Sequence, residues 1–240
     1  MSKTVLVTGA SSGIGYQICK DLLTKGARVI GLSRTIDKSH LLNEFEHFIP
    51  WQCDLSDIAQ AGDLFQSLID NIGPIDALIY AAGVCYHEQF GQTKMNSITE
   101  QLNVNLVSAF LLCEQAIAHM PKQSAIILLS STLAEKPIAT SAIYSASKAG
   151  LEQVMKASAL AGAAKQISVN AVALGCVDTP MLNQHRDDNL GQQTRLKALA
   201  ELHPFGLGKA HEVAQIITTL LSQPWTTGSV IKVDGGLSLN

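Results

Sequence analysis

Tyr144 and Lys148 stand four residues apart in Tyr144-Ser-Ala-Ser-Lys148. That spacing puts a phenol and an ammonium on one face if Ser141–Lys165 is the helix its pattern predicts. A neighbouring cation favours the phenolate, which matters because an ordinary tyrosine, with a pKa of about 10, exchanges protons poorly near neutrality. Alone, the spacing describes a solvated i, i+4 pair equally well. Ser131 adds to it, because it ends the apolar run AIILLSS and its hydroxyl could bond the same oxygen as the phenol.

A second chemical feature follows the first apolar run. In Thr8-Gly9-Ala10-Ser11-Ser12-Gly13-Ile14-Gly15, before the helical Tyr16–Leu23, the glycines let the backbone turn tightly and approach a pyrophosphate. Free N–H groups at the helix start add positive potential there. An ordinary glycine-rich turn has the same composition, but a first strand-to-helix junction is where a dinucleotide site is mechanically useful. The next strand ends at Ser33 without the acidic residue that bonds a free ribose 2′-hydroxyl. Arg34 follows instead, and a guanidinium there can pair with the 2′-phosphate that distinguishes NADP from NAD. The alternative is an exposed loop arginine.

These residues need elements to hold them. Short β-rich runs recur at Thr4–Thr8, Arg28–Ser33, His47–Cys53, Ala77–Ala82, Ala125–Ser131, Ile167–Ala173 and Ser229–Val233, separated by segments of helical periodicity. That βαβ alternation predicts an α/β fold, a Rossmann-type doubly wound parallel sheet of about seven strands with helices on both faces. With 240 residues, 47% of them hydrophobic, and no linker or repeat, residues 1–240 are expected to form one domain. One irregular stretch, Leu174 to about Pro204, is rich in loop formers and is expected to be a lid or binding element. A net charge of -3 offers no basic stripe for nucleic acid or anionic lipid. No apolar run reaches membrane-spanning length and no secretory signal is evident, so a cytoplasmic location is expected. Five widely separated cysteines, at 19, 53, 85, 113 and 176, read as reduced thiols without metal spacing.

Taken together, the glycine loop, Ser131, Tyr144 and Lys148 resemble the short-chain dehydrogenase/reductase family, whose Ser–Tyr–Lys triad they match. The likeness extends along the chain. Asn105 matches the family's helical asparagine, which completes a tetrad by holding a relay water, whereas Asn103 does not; a helix kink or a backbone hydrogen bond is the other reason for an asparagine there. Asp54-Leu55 resembles the adenine-contacting pair. Asn170 to Pro180, with Gly175, Val177 and Thr179, resembles the loop that holds the nicotinamide, and Val233-Asp234-Gly235-Gly236 matches the closing strand and turn. Two departures stand out. Tyr80-Ala81-Ala82-Gly83 lacks the usual paired asparagines, and Leu174 replaces a proline.

The resemblance implies a nicotinamide cofactor, NADP favoured and NAD possible, held by Gly9, Ser11, Ser12, Gly13, Ile14, Gly15, Ser33, Arg34, Asp54, Leu55, Ala81, Ala82, Gly83, Tyr144, Lys148, Gly175, Val177 and Thr179. It implies interconversion of a carbonyl and an alcohol, with Asn105, Ser131, Tyr144 and Lys148 as the catalytic set, Tyr144 as general acid, and no metal. The small-molecule substrate would meet Cys85–His87, Leu133–Ile138 and the loop at about 176–204, where His87 and His185 are polar candidates among apolar walls. A 3-oxoacyl thioester reductase is one specific version, with Lys122 and Lys165 as candidate contacts for an acidic carrier. A catalytically idle cofactor-binding regulator is an alternative of another class. The family's usual assembly implies a homotetramer or homodimer through helices near Ile98–His119 and Ser141–Lys165.

Overall fold

The computed structural model describes residues 3–36, 42–183 and 189–239. In chain order its elements are β1 (Thr4–Thr8), α1 (Gly13–Thr24), β2 (Arg28–Ser33), β3 (Phe48–Gln52), α2 (Ile58–Ile72), β4 (Ala77–Tyr80) and α3 (Met95–Leu102). A π-helical turn (Asn103–Val107) joins α3 to α4 (Ser108–His119). Then come β5 (Ala125–Ser131), α5 (Ala142–Gly162), β6 (Ser168–Leu174), β7 (Val177–Asp178), α6 (Pro180–Asn183), α7 (Asn189–Leu202), β8 (Gly208–Lys209), α8 (Ala210–Leu220) and β9 (Val230–Val233).

Seven strands form one parallel sheet in the order β3-β2-β1-β4-β5-β6-β9. Alternate residues of each strand feed opposite faces, as the period of two requires. Leu6, Ile30, Leu78 and Leu128 pack with Phe65, Leu112 and Met155 of α2, α4 and α5. Val5, Val7, Val29 and Ile79 pack with Ile18, Leu22, Val213 and Ile217 of α1 and α8. With both faces covered, the central strands are apolar throughout, and every residue of β5 and β6 is buried. The strand order reverses between β1 and β4, which opens a crevice at their carboxyl ends.

Two parts of the fold differ from expectation. The irregular stretch is largely helical, because QQTRLKALAEL within α7 consists mostly of good helix formers that the flanking Gly, Pro, Asn and His residues obscured. It is anchored by a separate two-stranded pairing, Val177 with Gly208 and Asp178 with Lys209. The long helix expected near Ile98–His119 is broken by the π turn that holds Asn105.

Candidate active site

The crevice between β1 and β4 is a cavity of about 790 Å³. The β1–α1 loop forms one wall, and its shape depends on two glycines. Gly13 sits at φ +56°, in the left-handed region, and a Cβ on Gly15 would stand 2.3 Å from the Gly9 carbonyl oxygen. Ser12 caps α1 without a side-chain hydrogen bond, so no hydroxyl covers the first amides of the helix. A positive helix end left open onto a cavity fits an anionic pyrophosphate. Ser11, Ser12, Ile14, Ala81, Ala82 and Gly83 line the same space, and Thr8 Oγ1 fixes that edge by accepting from Ala81 N and Ala82 N at 3.0 Å each.

At the far end stand Ser33, Arg34, Asp54 and Leu55. Asp54 closes a tight turn by accepting from Ser56 N and Ser56 Oγ at 2.9 and 2.8 Å. Arg34 meets Glu100 of α3 at 3.5 Å, and the other oxygen of that carboxylate accepts from the Tyr86 hydroxyl at 2.8 Å. Glu100 was not legible as a site residue, because only the docking of α3 brings it against Arg34 and Tyr86 of the cavity lining.

The proton-handling groups gather at the opposite end. The first turns of α5 present Tyr144 and Lys148 on one face, with Lys148 Nζ 5.7 Å from the Tyr144 ring centre. Lys148 is buried and donates to Leu129 O at 2.7 Å. Ser131, at the end of β5, accepts from Leu133 N at 3.2 Å, and its hydroxyl also bonds the Tyr144 phenol, a contact that favours the phenolate. Asn105 is fully buried and its amide is occupied. Oδ1 accepts from Val84 N at 2.9 Å, while Nδ2 donates to Val84 O at 2.8 Å and Ser147 Oγ at 3.1 Å. It thus clamps the end of the β4 loop beside Gly83, where a Cβ would lie 3.7 Å from Lys148 Nζ.

Electrostatics here depart from the expected simple lowering of the tyrosine. Burial pushes the Tyr144 phenol up, reinforced by the nearby Cys85 and Cys176 thiols, and the Ser131 bond offsets only part of this. Burial also lowers the Lys148 ammonium to about 8. The physical reason is shared: a low-dielectric pocket penalises both charged forms, so without a ligand Tyr144 rests as a phenol. A phenol in this position can give a proton to an oxygen held between it and Ser131.

Most expected cofactor contacts line the cavity, but Tyr144, Lys148, Gly175 and Val177 do not. Gly175 packs against Asp234 and His203 and its N–H donates to Val233 O at 3.2 Å, while Val177 is buried in β7. Among the described residues, Thr179, Pro180 and Met181 supply that side. His203 is a residue the sequence did not reveal. It is buried, accepts from Cys176 N at 3.0 Å and donates from Nδ1 to Leu199 O at 2.6 Å, which ties α7 to the loop after β6. His185 lies outside the described residues. Lys165 is spent on the fold, its ammonium donating to Ile117 O and Ala118 O at the end of α4. Among the described residues no cluster suits a metal, and no helix is long and apolar enough to cross a membrane.

A short chain dehydrogenase profile matches residues 3–190. The chain is 32% identical over 244 residues to carbonyl reductase family member 4 of Xenopus laevis, spanning all of both chains. It is 31% identical to the human 3-oxoacyl-[acyl-carrier-protein] reductase, covering 100% of this chain and 99% of that one. Among solved structures, ElxO with NADP bound superimposes with a TM-score of 0.89 at 27% identity, over the full length of both chains.

Proposed function

The chain belongs to the short-chain dehydrogenase family, and from that premise we propose that it reduces a small carbonyl compound to the alcohol with NADPH, Tyr144 serving as the general acid. The observation that carries this reading is the gathering of Ser131, Tyr144 and Lys148 beside Leu129, Gly83 and Cys85, which line one end of a cavity whose middle is an open helix terminus and whose far end holds Arg34. A nicotinamide cofactor held in this cavity would supply the hydride for the carbonyl carbon.

Each side chain then has a defined task. Ser131 donates a hydrogen bond to the carbonyl oxygen and polarises it. Tyr144 passes its proton to that oxygen as charge develops. Lys148, lowered to about 8 and beside Gly83 of the cavity wall, would hold the ribose hydroxyls and return a proton to the Tyr144 phenolate. Asn105 holds the Gly83–Val84 edge so that Lys148 keeps its position. The amides of Gly13, Ile14 and Gly15 take the pyrophosphate, and Arg34 takes the 2′-phosphate.

The NADP-bound neighbour and the lack of an acidic residue at the end of β2 support NADPH over NADH. The five free thiols support a reducing, cytoplasmic setting. Apolar side chains left exposed on α4 and α5, Phe110 and Leu160, support assembly through these helices into a dimer or tetramer.

The test is cofactor consumption by the purified protein, with NADPH and NADH separately, across ketoacyl thioesters, oxo acids, sugars, quinones and small ketones. Turnover with NADPH that falls at least about a thousandfold in Tyr144→Phe, while cofactor affinity is kept, is the expected result. Undiminished turnover in Tyr144→Phe would sink the mechanism.

A further inference from the structure

Beyond the reacting groups, polar side chains from the β4–α3 loop, the start of α5 and α7 meet beside Cys85 of the cavity lining. Arg195 of α7 approaches His87 Nε2 with NH2 at 3.3 Å, and His87 Nδ1 lies 2.8 Å from Ser141 Oγ. A guanidinium has only donors, so His87 Nε2 must accept and Nδ1–H must donate to Ser141. The Ser141 hydroxyl is left to donate to Cys85, a contact that eases the thiolate against the burial that raises the thiol to about 11. Cys85 Sγ is 4.0 Å from His87 Nε2 and lines the main cavity.

Among the described residues the charge balance of this wall is unequal. Arg195 NH1 also donates to Leu182 O at 3.3 Å. No carboxylate among the described residues forms an ion pair with it. Its field reaches both Cys85 and Cys176, the thiols that flank Tyr144. Both stay protonated near neutrality, so neither compensates the charge. The cofactor anions that the proposed mechanism implies would sit along the β1–α1 loop and Arg34, at the other end of the cavity.

We propose that Arg195, oriented by His87, receives a carboxylate on the substrate, so that the natural substrate is an oxo acid whose carbonyl oxygen meets Tyr144 while its acid group meets the guanidinium. This inference rests on the reductase reading and narrows it to a substrate class. Met181 of α6 lines the cavity and supplies apolar contact for the carbon chain joining the two ends.

Cys85 reports on the field of Arg195 without any need to know the substrate. The probe is alkylation of Cys85 in the full-length protein by anionic iodoacetate and by neutral iodoacetamide, followed by peptide mass spectrometry. Both reagents attack the thiolate, so the ratio of their rates cancels changes in thiolate fraction and reads the local preference for an anion. The iodoacetate-to-iodoacetamide ratio is expected to be about tenfold higher in the wild type than in Arg195→Gln, as one charge-assisted contact would give, with Arg195→Lys in between. Equal ratios in wild type and Arg195→Gln would overturn the proposal. A turnover arm compares 3-oxo acids with their methyl esters. Loss of kcat/KM in Arg195→Gln on the acids alone supports a carboxylate receptor, and equal loss on both would reduce Arg195 to a tie between loops. If NADPH is consumed with no carbonyl compound, the reductase reading fails on its own, and the alkylation ratio still decides whether an anion site exists.

Discussion

Lys148 donates to Leu129 O from a position buried beneath α5, and the same burial lowers its ammonium to about 8. Because kcat/KM reports groups of the free enzyme, reduction should run level below pH about 7.5 and fall as pH rises through about 8, when Lys148 loses its proton. Tyr144 is pushed the other way and stays protonated across that range, so it contributes no limb there. A profile flat to pH 9.5 would show that the ammonium is not held down. Stability should carry the same signature. Between about 8 and the ordinary 10.5 the unfolded chain binds more protons at this group, so its contribution to stability rises with pH over that window, and Lys148→Met should remove the rise. At the other end of the cavity Arg34 is shared with Glu100. Arg34→Ala should weaken NADPH much more than NADH. Glu100→Gln should tighten NADPH a few-fold by removing a carboxylate that competes for the guanidinium and repels a phosphate, worth up to about 1 kcal/mol for so exposed a pair. Equal losses of both cofactors in Arg34→Ala, by equilibrium titration, would leave no reason to prefer NADP.

At the scale of elements, the π turn at Asn103–Val107 is held from below by β4. Tyr80 is fully buried and its hydroxyl donates to Val104 O at 2.6 Å, which secures the turn that presents Asn105. Tyr80→Phe leaves that carbonyl without its partner and should cost about 1–3 kcal/mol of stability in denaturant titration. If the turn positions Asn105, kcat should drop and its solvent isotope effect should grow, while the KM for NADPH stays put; a change in stability alone would make Tyr80 purely structural. The sequence showed this position only as an absence, a tyrosine where the family carries an amide, because its role depends on a partner 24 residues away. The same limit recurs at Glu100 and His203, whose partners are set by how α3 and α7 dock. Features fixed by local chemistry were legible. The seven strands follow from apolar runs, the α1 loop from glycines where a side chain would be strained or would strike the backbone, and the Tyr144–Lys148 face from helical spacing. Helix α7 was hidden because its flanks are loop formers, and the unequal charge on Arg195 becomes visible only when β4, α5 and α7 meet.

Across the whole molecule, both sheet faces are closed by helices, yet large apolar side chains remain exposed, among them two groups on separate surfaces. Phe110 and Leu160 protrude from α4 and α5, with Leu160 82% exposed. Phe205, 90% exposed, follows α7, and its N–H donates to Gly235 O near the carboxyl end, where Leu239 is also exposed. A closed dimer uses one self-complementary patch, whereas a tetramer of two-fold symmetries needs at least two, so two patches favour the tetramer. The two should then separate by mutation. Leu160→Lys should break the α4–α5 contact and leave dimers joined through the Phe205 surface, whereas Phe205→Lys should leave dimers joined through α4 and α5; the double variant should be monomeric, as read by analytical ultracentrifugation. Activity should distinguish the surfaces further. Helix α5 carries Tyr144 and Lys148 at its start and Leu160 near its end, so covering its outer face braces the reacting groups, and Leu160→Lys should lower kcat more than Phe205→Lys does. An unchanged mass in Leu160→Lys would remove α5 from the interface, and with it this link between assembly and turnover.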